Sequence, residues 1–186
     1  MKKIEIEIPD GKEAKWVNGV LSLVDVEDNR PITERVKTFE DACAALGENH
    51  LYVQMFQDIY TKSEKAGANV NSDVVAYLKL RIITAALNEG WEPQFTSDEW
   101  RWYPWFRLLT KSDIEELSEE ERCRVVGRAG NSAHAYGGLV YANAGGVSTY
   151  SGTSYGSRLA FKSEELAYYA GTQFAEIYAN FCFIPE

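Results

Sequence analysis

The sequence has few of the side chains that build disulfide scaffolds or transition-metal sites. Its 186 residues include only three cysteines, Cys43, Cys123 and Cys182, and two histidines. An odd number of widely spaced cysteines does not indicate a disulfide framework and is typical of a reducing compartment. No C-x-x-C or H-x-x-x-H spacing is present, so we predict no metal site, and no motif predicts a cofactor.

Long hydrophobic runs are also absent. No stretch approaches 18 consecutive apolar residues, as a membrane-spanning helix requires. The first residues alternate Ile4, Ile6 and Ile8 with glutamate, which is not the pattern of a signal peptide. The sequence therefore predicts a protein made in the cytoplasm, without membrane contact, and compatible with assembly into a virion.

Basic residues are too few for a protein that coats nucleic acid. The chain has 19 Lys and Arg against 28 Asp and Glu, a formal net charge of −9. Such a charge repels polyanions and argues against general backbone binding. Residues 124–163 differ from this average, because they contain no Asp or Glu and carry +4, which leaves −13 for the rest of the chain.

The pattern of apolar residues predicts an α+β protein with two parts. Residues 1–28 are predicted to form an N-terminal β-meander, with strands at about 3–8, 12–17 and 20–26 around the turn residues Pro9-Asp10-Gly11 and Asn18-Gly19. Residues 29–186 are predicted to form a compact domain in which two long helices pack on a small, mainly antiparallel sheet.

Helix signals within the larger part are clear at several places. Apolar residues recur at helical spacing over 72–88 and 163–180, which gives the two long helices. Thr38, three residues before Asp41, predicts the capped start of a short helix that ends at Gly47. Short strands are expected at 124–126, 138–144 and 157–161.

An excess of aromatic residues marks the stretch from Trp91 to Phe106. It holds seven aromatic residues in 16 positions, with one arginine and three carboxylates between them. Exposed rings beside polar groups suit a platform for a sugar or a base. The alternative is that Pro93 and Pro104 make the backbone irregular and the rings pack into the core, with one or two of them exposed.

The stretch from Arg124 to Ser163 is rich in glycine, serine and tyrosine. This composition is typical of an adaptable binding surface, although hairpins with glycine at bulges and turns have it too. The residues that we predict to contact a ligand lie here and in the aromatic stretch: Tyr136, Tyr141, Asn143, Tyr150, Tyr155, Trp100, Trp102 and Arg128.

Four segments carry a resemblance to known proteins: Leu-Asn-Glu-Gly-Trp at 87–91, Tyr-Pro-Trp-Phe at 103–106, Gly-Leu-Val-Tyr-Ala-Asn-Ala at 138–144 and Gly-Ser-Arg-Leu-Ala-Phe-Lys at 156–162. They are similar to an uncharacterised family encoded by phages and prophages of gut anaerobes. Residues 125–161 also resemble the end of C-type-lectin-like domains, as found in relatives of the formylglycine-generating enzyme. The second resemblance implies a lectin-like fold for this part of the chain.

Together these features predict a phage-type accessory or structural protein that binds a glycan or protein partner. One alternative is a hydrolase acting on sugar or nucleic acid, with Glu92, Asp98, Glu99 or His134 as acid or base. A second alternative is a scaffolding or assembly protein that forms oligomers through the N-terminal meander.

Overall fold

The structure, a computed structural model, describes residues 6–26, 28–67, 73–94, 96–126, 138–147 and 157–182. Contacts divide the chain into an N-terminal unit, Met1–Pro31, and a main unit, Ile32–Glu186. Helices and two small antiparallel sheets give a mixed α+β fold, so the predicted class is confirmed. Within the described residues, no helix has the length and apolar content to cross a membrane.

The N-terminal unit contains a two-stranded hairpin. Strand β1 (Lys12–Val17) pairs antiparallel with β2 (Val20–Asp25). Asn18 and Gly19 join them with φ values of 51° and 81°, as a type I′ turn requires. Residues 6–8 are not part of a strand, which corrects the predicted three-stranded meander over its described residues. Ile6 and Ile8 are about half exposed, so their alternation with glutamate does not face a core.

The main unit is built around one central helix. Its helices are α1 (Ile32–Arg35), α2 (Phe39–Leu46), α3 (Leu51–Lys65), α4 (Asp73–Asn88), α5 (Lys111–Glu116), α6 (Glu119–Arg122), α7 (Glu164–Gln173) and α8 (Ala175–Cys182). Helix α4 packs against α2, α3, α7 and α8, and ten of its 16 residues are buried. This helix therefore forms the centre of the hydrophobic core.

Capping side chains fix the start of several helices. Thr38 and Asp41 form a reciprocal capping box on α2, and Gly47, at φ 84°, ends it as predicted. The box on α5 is formed by Thr110 and Asp113, although Ser112 and Glu115 have the same spacing in the sequence. Thr110 has the extended backbone that an N-cap needs, whereas Ser112 already lies within the helix.

The second predicted long helix is divided at Phe174 into α7 and α8. The hydroxyl of Thr172 donates to the carbonyl oxygens of Tyr168 and Tyr169, at 2.9 and 3.1 Å, and such bonding bends helices. Phe174 has φ −113° and ψ 26°, outside the helical region, and its side chain is buried in the core. The chain then turns back into a helix at Ala175.

The aromatic stretch forms a strand, which the sequence did not predict. Strand β3 (Arg101–Leu109) pairs antiparallel with β4 (Gly138–Val147), and Ala142 of β4 is the extra residue at a bulge beside Trp105. A proline inside a strand usually argues against that assignment, but this sheet has only two described strands, so Pro104 lies in an edge strand. Helix α7 packs on both strands.

Among the described residues 157–161, Phe161 forms a backbone bridge to β3. Residues Ser157–Leu159 form a short 3-10 turn instead of the predicted strand, and Phe161 exchanges two backbone hydrogen bonds with Trp102. Leu159, Ala160 and Phe161 are almost fully buried. Three consecutive buried side chains do not fit the alternation of a strand that has one face in solvent.

Candidate functional site

Two of the predicted ligand residues lie where β3 begins: Trp102 is its second residue, and Trp100 directly precedes the strand. Their indole rings stack with centroids 5.9 Å apart and an angle of 30° between the planes. Trp100 is 54% exposed, whereas Trp102 packs partly against the core. A Cβ on Gly146, which is paired with Trp102, would lie 2.9 Å from Cε3 of Trp100 and 3.0 Å from Cδ2 of Trp102. Glycine at this position therefore makes room for the two rings.

A third tryptophan lies on the opposite face of the same sheet. Trp105 is 47% exposed and pairs across the strands with Asn143, which is also exposed. A Cβ on Gly145 would lie 2.5 Å from Nε1 of Trp105, so the indole rests on the glycine backbone. An exposed ring beside an exposed amide combines apolar contact area with hydrogen-bonding capacity.

Over its described residues, the aromatic stretch has the burial that the second interpretation predicts, with most rings packed and two of them exposed. Tyr103 and Pro104 are buried, and the ring of Phe106 contacts that of Tyr178 in the core, with centroids 4.9 Å apart. Trp100 and Trp105 keep about half of their surface exposed. The strand therefore contributes to the core and to the surface at once.

Most of the remaining predicted ligand residues lie outside the part of the chain that the structure describes. Tyr136, Tyr150, Tyr155 and Arg128 lie outside the described residues. For Tyr141 the structure describes the backbone, which belongs to β4 and pairs with Phe106. The structure therefore stacks Trp100 on Trp102 and places Asn143 beside Trp105 on the other face of the sheet, and the contribution of the tyrosines stays a prediction.

The carboxylates of the hydrolase alternative have separate surroundings. Glu99 accepts a hydrogen bond of 2.6 Å from the backbone N–H of Gln94, and Asp98 accepts one from the hydroxyl of Ser97. Glu92 lines a cavity to which neither of the other two contributes. His134 lies outside the described residues. No described contact joins two of these carboxylates, and no group of three possible metal ligands occurs in the described part of the chain.

A cavity of about 250 Å³ lies at the C-terminal end of α4 and was not predicted from the sequence. Its walls are formed by Tyr52, Arg81, Thr84, Ala85, Asn88, Trp91, Glu92, Pro93, Arg158 and Ala160. Four of these residues lie on α4 at spacings of three and four, which places them on one face of the helix. Polar residues at such positions in an otherwise apolar helix are the signal that could have identified this face.

Arg81 is the half-buried cation of the cavity wall. Its guanidinium donates to the hydroxyl of Tyr52 and, at 3.4 Å, to the hydroxyl of Tyr77. The guanidinium carbon also lies 4.3 Å from the ring centroid of Tyr52, which adds a cation–π contact. These neutral partners hold the side chain in place without neutralising its charge.

Asn88, the last residue of α4, fixes the opposite wall. Its amide donates to the carbonyl oxygen of Ala160 at 2.8 Å and accepts from the backbone N–H of Lys162 at 3.1 Å. Because Asn88 is buried, these bonds are shielded from water. They hold the Ser157–Leu159 turn, and with it the exposed Arg158, against the end of α4.

The chain reverses immediately after α4 and brings Trp91 to the cavity. Glu89 and Gly90 both have positive φ, 50° and 85°, and the N–H of Trp91 bonds to the carbonyl of Asn88 at 3.0 Å. Glu89 forms ion pairs with Arg35 at 2.6 Å and Lys162 at 3.2 Å. The hydrogen bond from Lys162 is the main cause that lowers the pKa of the Glu89 carboxyl, and Arg35 adds to it.

Comparisons with protein-family models, with curated proteins and with solved structures gave no match to this chain.

Proposed function

We propose that the chain is a phage-type accessory protein that binds a partner through the sheet formed by β3 and β4. The resemblance of four segments to a family encoded by phages and prophages supports the phage-type assignment. Trp100 and Trp105 are about half exposed, and each ring lies against a glycine of β4. This exposure supports the binding role. Aromatic rings contribute large contact area at a low cost in side-chain entropy.

The observation that carries this proposal is the pairing of Trp105 with Asn143. A sugar presents an apolar face of C–H groups and an edge of hydroxyls, which the exposed indole and the exposed amide match in turn. We therefore favour a glycan over a protein as the partner.

Glycan binding can be tested with the full chain and three single variants. The purified protein is screened on immobilised glycans, and a glycan that binds is then titrated by calorimetry. Trp105→Ala and Asn143→Ala should weaken binding at least tenfold, because each removes one of the two matched contacts. Trp16→Ala is the matched control, since Trp16 is exposed in the N-terminal hairpin.

Thermal unfolding of each variant is measured in parallel. Loss of binding with an unchanged unfolding temperature supports the proposal. Unchanged binding by both Trp105→Ala and Asn143→Ala contradicts it, as does unfolding of the variants, which would assign these side chains a structural role. If the protein binds another protein and no glycan, the proposed binding role stands and the proposed partner is wrong.

A second candidate function is assembly through the N-terminal hairpin. Its two strands expose Trp16, Val17, Val20, Leu21 and Leu23, each at 39% or more. A two-stranded hairpin has little stability in water without a packed face, so burial of these side chains in an oligomer would stabilise it. Light scattering on the chain with and without residues 1–28 tests this function, and an unchanged oligomeric state excludes it.

A further inference from the structure

The cavity beside α4 has an excess of positive charge. Two guanidinium groups, of Arg81 and Arg158, and one carboxylate, of Glu92, line it. The nearby carboxylate of Glu89 is already paired with Arg35 and Lys162 and does not line the cavity. The local balance of +1 contrasts with the formal charge of −9 for the whole chain.

The charge of Arg81 has no carboxylate partner among the described residues. Its contacts are the hydroxyls of Tyr52 and Tyr77 and the ring of Tyr52. A half-buried cation has lost part of its hydration, and neutral hydroxyls replace only a portion of it. An anion in the cavity would supply the missing compensation, and a guanidinium can bind an oxyanion through two parallel hydrogen bonds.

Thr84 provides a second, independent observation at the same wall. Its side chain is 3% exposed, and its hydroxyl is buried without a hydrogen-bond partner among the described residues. Most buried hydroxyls in proteins are hydrogen-bonded, and an unsatisfied one lowers stability. The cavity wall thus combines an uncompensated cation with an unsatisfied hydroxyl, one helical turn apart on α4.

The size and the remaining walls of the cavity limit what can enter it. An apolar cavity of about 150 Å³ holds benzene, so about 250 Å³ admits one ring with a small charged substituent. Trp91, Pro93, Ala85 and Ala160 form apolar wall against which a ring can pack. The side-chain amide of Asn88 donates to the carbonyl oxygen of Ala160 and holds it in place, so this part of the wall exists before a ligand arrives.

We infer that this cavity is a binding site for a small organic anion, with its oxyanion group between Arg81 and Arg158 and its ring against Trp91. The oxyanion is a carboxylate or a phosphate, since guanidinium groups recognise both. None of Trp100, Trp105 and Asn143, which form the proposed glycan-binding surface, lines the cavity. The two proposals are therefore independent, and an experiment can contradict one of them without affecting the other.

Calorimetric titration of the full chain at low ionic strength tests the site. The probes are benzoate, phenyl phosphate and the neutral benzyl alcohol, which share a ring and differ in charge. Benzoate or phenyl phosphate should bind at least tenfold more tightly than benzyl alcohol, and the tighter of the two identifies the oxyanion. Arg158→Gln should weaken that binding about tenfold, since a charge-assisted hydrogen bond is lost.

The control variant is Arg124→Gln, which removes an exposed arginine that is paired with Glu120 outside the cavity. It should bind the probes as the parent does. Arg158 is itself exposed, so its replacement should leave folding intact even if Arg81→Gln does not. Equal affinity for the neutral probe, no binding of either anion, or equal losses in the Arg124 and Arg158 variants would each overturn the inference.

Discussion

The two sheets of this protein share an antiparallel two-stranded design and differ in what their side chains contact. The β1–β2 hairpin exposes Trp16 at 74% and Val20 at 63%, and its tight turn needs only Asn18 and Gly19. The β3–β4 sheet has one face packed on α7, with Pro104 fully buried. Strand pairing alone is therefore compatible with very different degrees of burial.

Glycine has a different function in each sheet. In the hairpin, Gly19 supplies a positive φ and no atom lies within 4 Å of where its Cβ would be. In the larger sheet, Gly145 and Gly146 leave space that indole rings occupy. The first use depends on backbone conformation and the second on packing, so substitutions should separate them.

The largest effect is expected from removing a buried ring beside β3. Phe161 is fully buried and bridges Trp102, and Phe161→Ala should lower the free energy of unfolding of the main unit by about 3–5 kcal/mol. Trp16→Ala in the hairpin should change it by less than about 0.5 kcal/mol. Urea unfolding followed by circular dichroism measures both, and similar losses would contradict the contrast between the sheets.

An intermediate effect is expected at the glycines of β4. Gly146→Ala should cost about 1–3 kcal/mol, because the new methyl group would meet Trp102, which packs against the core. Gly145→Ala is the matched control and should cost less, because the neighbouring Trp105 is 47% exposed and can move. The same urea experiment ranks the two. A larger loss at Gly145 would show that Trp105 is held as firmly as Trp102.

Much of the fold could be predicted because its signals are local. The Thr38–Asp41 box, the Asn18–Gly19 turn and the apolar spacing of α4 depend on residues a few positions apart. Strand β3 was not predicted because Pro104 is a local signal against a strand. The proline is tolerated because β3 is an edge strand, and that position depends on pairing with β4, which is distant in the sequence. The division at Phe174 was missed because burial of that ring depends on the whole core.

The two candidate sites differ in the same way. Trp100, Trp102 and Asn143 were predicted from composition, and the structure stacks the two tryptophans and places Asn143 on the other face of the sheet, beside Trp105. The cavity joins Tyr52, Arg81 and Arg158, which are separated by 29 and 77 residues along the chain. No sequence window contains that set, since only the packing of α3 and the Ser157–Leu159 turn on α4 creates it.

The smallest effect is expected from acid, and it concerns the main unit that carries β3 and β4. Hydrogen bonding to Lys162 and Arg35 lowers the pKa of Glu89 in the folded protein. A lowered folded pKa adds stability that is present above the unfolded value of about 4.3 and is lost as the pH falls through that value toward the folded one. The urea concentration at the unfolding midpoint should therefore decrease as the pH is lowered from about 6 to about 3.

Glu89→Gln should reduce this loss, because glutamine cannot titrate and the variant already lacks the ion pairs at pH 6. The difference between variant and parent should thus be present at pH 6 and shrink at pH 3. Glu64→Gln is the control, since Glu64 is exposed on α3 and forms no ion pair among the described residues. Because Glu89 is itself 44% exposed, solvent screening keeps the effect below those at Phe161 and Gly146. A difference that stays constant across this range would mean that the Glu89 side chain stabilises the α4 terminus through contacts that do not depend on its charge.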